Sequence, residues 1–126
     1  DLKPGNILVD PSGNVKISDF GCSKLGGGPA DGKHSLVGTP NYMAPEVLKS
    51  RNGTYSFAAD IWSLGMTVTE MCTAETPFSE YSNQHALMFA LARQEVTTPT
   101  LPETMSAMAK SFLDSCFVPA ETRATA

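Results

Sequence analysis

What the sequence has little of narrows it first. It holds three cysteines, Cys22, Cys72 and Cys116, far apart and without a CxxC pair, an odd count that does not suggest a disulfide framework. A reducing, cytoplasmic setting is expected. Nine basic residues against thirteen acidic ones give a formal charge of -4, with no Lys/Arg run, so neither nucleic acid nor an anionic lipid surface is an expected partner. Polar residues interrupt every apolar stretch well before it could span a bilayer, and no basic-then-apolar leader opens the chain. No membrane insertion is expected. His34 and His85 have no partner at metal-ligand spacing. An initiating methionine is also missing, and the motif-dense opening at Asp1 reads as the start of a truncated piece.

What is present is 126 residues with 41% apolar content, suited to one domain or a part of one. Ile7-Leu8-Val9 and Val15-Lys16-Ile17 are β-branched runs separated by Asp10-Pro11-Ser12-Gly13-Asn14, which predicts a β-hairpin. Cys22 to Gly38 has few large apolar residues and contains Gly26-Gly27-Gly28-Pro29, which predicts a long mobile loop. Pro45 suits the first turn of a short helix to about Lys49. Ser56 looks like the N-cap of a longer helix from Phe57 to Thr73, apolar on nearly every face and so expected to be buried all round. Two amphipathic helices are expected at Asn83 to Arg93 and Ser106 to Cys116, the latter with Phe112, Leu113, Cys116 and Phe117 on its apolar face. Methionines 66, 71, 88, 105 and 108 read as packing residues.

Asp1-Leu2-Lys3-Pro4-Gly5-Asn6 precedes the first strand and Asp19-Phe20-Gly21 follows the second. The hairpin therefore gathers two carboxylates, an amine and an amide, the set that phosphoryl transfer from ATP requires. With Ala44-Pro45-Glu46 in order behind them, these motifs resemble the protein kinase family. Asp60-Ile61-Trp62-Ser63-Leu64-Gly65 is similar to the start of that family's central helix, and Arg123 falls where its late arginine stands.

The resemblance covers residues 1–126. It implies an α+β, protein-kinase-like fold: a partial domain from the catalytic loop through the late helices of a mainly helical C-terminal lobe, with a short β-hairpin and the N-terminal lobe missing. Carried over by position, Asp1 is the catalytic base and Lys3 contacts the transferring phosphate. Asn6 and Asp19 hold Mg2+, Lys3, Asn6, Leu8 and Asp19 form the ATP site with Leu8 beneath the adenine, and Thr39 lines the acceptor site. Ser35 matches an activating phosphorylation site. Glu46, Asp60 and Arg123 take structural roles, with Glu46 and Arg123 expected to form an ion pair.

Lys3 and Gly38-Thr39-Pro40 are similar to Ser/Thr and not to tyrosine kinases. The tail segments Ala86–Ala92 and Ser111–Phe117 resemble MAP kinase kinase kinases. The implied activity is transfer of the ATP γ-phosphate to a protein hydroxyl, with a MAP kinase kinase as substrate. The piece alone is expected to be inactive. A pseudokinase or scaffold that binds partners without catalysis is the alternative reading. Other residues take bland roles: Asp10 and Asn14 serve a turn, the glycine triplet is a loop without ligand, and Cys22 is a plain thiol.

Overall fold

The computed structural model describes residues 1–23, 38–50 and 56–124. A 3-10 turn at Pro4–Asn6 leads into β1 (Ile7–Val9), which pairs antiparallel with β2 (Val15–Ile17) in the register Ile7 with Ile17, Leu8 with Lys16 and Val9 with Val15. The connection is built by Asp10. Its Oδ1 accepts the N–H groups of Ser12 and Asn14, both at 2.9 Å, and its Oδ2 accepts the Asn14 amide at 2.7 Å. These bonds, led by that of the Asn14 side chain, hold the Asp10 carboxyl below its usual range. Gly13 supplies the positive φ of 83° that the turn needs.

Beyond β2 the chain crosses over the start of β1. Ser18 donates to the Asn6 carbonyl through its N–H at 2.8 Å and its hydroxyl at 3.1 Å, which puts Asn6 and Asp19 at one end of the hairpin. A 3-10 turn at Phe20–Cys22 follows, so Cys22 closes a turn and does not open the predicted loop. Most of that loop, with the glycine triplet and His34, lies outside the described residues.

Four α-helices occur among the described residues: α1 (Pro45–Lys49), α2 (Ala58–Thr73), α3 (Gln84–Arg93) and α4 (Ala107–Cys116). The last two start one residue inside their expected ranges, because Asn83 and Ser106 cap them, Asn83 Oδ1 accepting from His85 N–H and Ser106 Oγ from Ala109 N–H. Ser56 stands one residue outside the α2 cap position, which is Phe57, though its Oγ still accepts the Ala58 N–H at 3.3 Å.

The core joins Tyr42 and Ala44, Ala59, Trp62 and Met66 of α2, Phe78, and Leu87 and Leu91 of α3. Helix α4 lies on α2 at Gly65, where a Cβ would come within 2.7 Å of Cys116 Cβ and 2.8 Å of the Phe117 ring. The Phe117 ring meets Trp62 edge-on at 5.1 Å. Burial pushes the Cys116 thiol above its ordinary range.

Two expectations of burial fail. Helix α2 is not buried all round: its middle, residues 61–70, is buried or half-buried throughout, but Asp60, Met71 and Cys72 near its two ends are exposed, Met71 at 75%. The methionines divide likewise, since Met66 is fully buried but Met108 is 84% exposed. On α4 Leu113 and Cys116 carry the packing, and Phe112 is half-exposed. No described helix is long and apolar enough to cross a membrane.

Candidate active site

The site forms where the first six residues meet the segment before α1. Lys3 Nζ donates to Asp1 Oδ2 at 2.7 Å and to Thr39 Oγ1 at 2.8 Å, while Thr39 N–H donates to Asp1 Oδ1 at 2.9 Å. Three residues thus close a ring of bonds across 36 and 38 positions of sequence. The Asp1 side chain is only 10% exposed, so the exposure of the residue lies on its main chain. Each carboxylate oxygen accepts one bond and keeps a lone pair for a further donor. A hydroxyl group is such a donor.

Gly38 makes the approach of Thr39 possible. Its φ of 127° is closed to ordinary L residues, and a Cβ there would lie 2.9 Å from Met43 Cε and 3.5 Å from Asp1 Oδ1. The 3-10 turn Pro40–Tyr42 follows, held from below by Ser63, whose hydroxyl donates to the Tyr42 carbonyl at 2.8 Å.

Asn6 is buried, and its amide N–H donates to the Asp1 carbonyl at 2.8 Å. That leaves its Oδ1 without a hydrogen bond among the described residues. Asp19 sits at φ 58° with Oδ1 accepting Gly21 N–H at 3.2 Å, which leaves Oδ2 without a bond among the described residues. Two hard oxygens at one end of the hairpin suit Mg2+, which takes one or two protein ligands and otherwise water and phosphate oxygens. Among the described residues no cluster of three His, Cys, Asp or Glu side chains offers a fuller metal cage. Leu8 is 55% exposed on β1. Ser35 lies outside the described residues.

Glu46 and Arg123 meet across 77 positions: Nη1 donates to Oε1 at 2.6 Å and Nη2 to Oε2 at 3.4 Å. The guanidinium also donates to the carbonyls of Ala58 and Val118, and lies 5.0 Å from the Trp62 ring centre. Asp60 is exposed in the first turn of α2, with no side-chain bond among the described residues.

Sequence reasoning missed several supports of the site. Tyr42 OH donates to Glu70, and burial, followed by the nearby carboxylate, raises the phenol well above its usual range. Asn41 Nδ2 donates to the Pro77 carbonyl at 2.8 Å. Neither contact had a local signal, whereas the close approach at Gly38 falls on the Gly38-Thr39-Pro40 run that the sequence singled out.

A family model for the protein kinase domain matches residues 1–126. Among curated proteins the chain is similar to mitogen-activated protein kinase kinase kinase A of Dictyostelium discoideum, 44% identical over 117 residues, with 93% of this chain and 12% of that protein covered. It is 45% identical over 120 residues to mitogen-activated protein kinase kinase kinase 5 of Homo sapiens, covering 94% of this chain and 9% of the relative. Mitogen-activated protein kinase kinase kinase 5 of Arabidopsis thaliana is 47% identical over 123 residues, with 93% and 16% covered. The chain therefore spans less than a fifth of the length of these relatives. A match over every residue, falling on the motifs that build the ring of Asp1, Lys3 and Thr39, establishes that the chain belongs to the protein kinase domain family.

Proposed function

We propose that these residues are the C-terminal-lobe part of a Ser/Thr protein kinase of MAP kinase kinase kinase type, which transfers the γ-phosphate of ATP to a hydroxyl of a MAP kinase kinase. The observation that supports it most is the Asp1–Lys3–Thr39 ring, because it sets a carboxylate and a cation side by side at the acceptor segment. Asp1 orients the incoming hydroxyl and takes its proton, within the reach of about 2.6 to 3.2 Å that such transfer needs. Lys3 offsets charge on the transferring phosphate. Asn6 and Asp19 would hold Mg2+, which when bound neutralises phosphate charge. Leu8 would support the adenine, and phosphorylation of Ser35 would regulate the site.

The test uses the full-length protein with a MAP kinase kinase, ATP and Mg2+. Asp1→Asn and Asp19→Asn should each lower kcat by about a hundredfold or more while circular dichroism stays unchanged. Near-normal transfer by Asp19→Asn would overturn the metal assignment. Binding of the MAP kinase kinase without any transfer by the wild type would favour the scaffold reading instead.

A further inference from the structure

Asn41 lies in the 3-10 turn two residues after Thr39, and its side-chain amide reaches across 36 positions to the Pro77 carbonyl at 2.8 Å. Only the NH2 half of an amide can face a carbonyl, so the acceptor fixes which way the group points. Pro77 and Phe78 are the central residues of a turn closed by Ser79 N–H on the Thr76 carbonyl at 3.2 Å. Phe78 has a φ of 60°, in the left-handed region where the Cβ of an L residue is crowded, yet it is 4% exposed and belongs to the core.

The proline decides which turn this is. Its ring holds its own φ near -65°, which excludes the mirror-image turns with positive φ at the first central residue. A positive φ at the second central residue then leaves type II, a form that favours glycine where this chain has Phe78. Type I, the commoner form, would give Phe78 an ordinary negative φ. The two differ by a half-rotation of the peptide plane between the central residues. That plane carries the oxygen held by Asn41.

We propose that Asn41 is a positioning residue: its amide holds the Thr76–Ser79 turn in the type II form, and the turn, anchored in the core by Phe78, holds the acceptor segment so that Thr39 meets Asp1 and Lys3. The effect on phosphoryl transfer rests on the kinase reading. The lock on the turn does not.

The experiment separates the two, using the full-length protein. Asn41→Leu and the isosteric Asn41→Asp remove the donor, whereas Asn41→Gln keeps an amide. Loss of one hydrogen bond should raise the KM for the protein substrate roughly three- to tenfold in the first two variants, with the KM for ATP unchanged and partial recovery in Asn41→Gln. A crystal structure of Asn41→Leu, or of Asn41→Asp should that variant fold better, should show Phe78 at negative φ. An unchanged substrate KM, an equal rise for ATP, or a Phe78 that stays at positive φ would each overturn the proposal. If the wild type transfers no phosphate, the kinase reading fails, and the φ of Phe78 alone decides: negative supports the lock and positive removes it.

Discussion

Arg123 shows how much a single side chain can bind together. Its side chain is 1% exposed and its guanidinium donates to a carboxylate and two main-chain carbonyls, whereas the Glu46 side chain is 26% exposed. Arg123→Ala would strand Glu46 and two acceptors, and should cost about 3 to 5 kcal/mol in urea unfolding, toward the lower end because Glu46 is partly wet. Arg93→Ala is the control, since its pair with Glu95 is exposed on both sides and should change stability by less than about 1 kcal/mol. Tyr42 gives a pH signature. Its phenol is raised in the fold, so an unfolded chain loses the proton from about pH 10 upward while the folded chain keeps it. Stability contributed by this group is full below that pH and falls above it. Urea midpoints should therefore drop between about pH 9 and pH 11 by less in Tyr42→Phe than in wild type. At this scale the sequence was legible wherever a motif names its residue, as with Glu46 and Arg123. It was silent on Asn41, because nothing local says that an asparagine will meet a proline carbonyl 36 positions away.

At the scale of elements, α2 and α4 approach through a gap the size of a hydrogen atom. Gly65→Ala would drive a methyl group into the Cys116 side chain and the Phe117 ring, and should destabilise the fold by about 1 to 3 kcal/mol, measured by thermal unfolding. Gly5→Ala, where a Cβ meets nothing within 4 Å, should not. A proline and amphipathic periodicity made these helices legible: α1, α3 and α4 lie within a residue of their expected ranges. The error over α2 has a physical cause. Apolar residues all round a helix signal burial only if neighbours cover every side, and a composition cannot say that Met71, near the end of α2, is left 75% exposed. The Thr76–Ser79 turn was illegible for a related reason, since Phe78 occupies a conformation whose usual sequence mark is glycine.

Taken whole, the molecule is held by two kinds of bond. The helices share an apolar core, whereas Leu8, Val9, Val15, Ile17 and Phe20 of the hairpin region are all more than half exposed. The hairpin is tied to the rest by polar contacts of Asp1 and Lys3 with Thr39. Hydrogen exchange should therefore release the amides of β1 and β2 before those at the centre of α2, and Thr39→Ala should speed the strands without touching the helix. Equal protection of both regions would show that the hairpin unfolds only with the core.

The Glu46–Arg123 pair also sets an order in time. A ribosome adding about 5 to 20 residues per second finishes the guanidinium roughly 4 to 15 s after the carboxylate, given the 77 positions between them. Throughout that interval α1 and the start of α2 have left the ribosome's active centre while the side chain that joins Glu46 to the Ala58 carbonyl does not yet exist. A nascent chain stalled before Arg123 should thus be open to protease near α1, and resistance should come only once Arg123 has been added and has emerged far enough to reach Glu46.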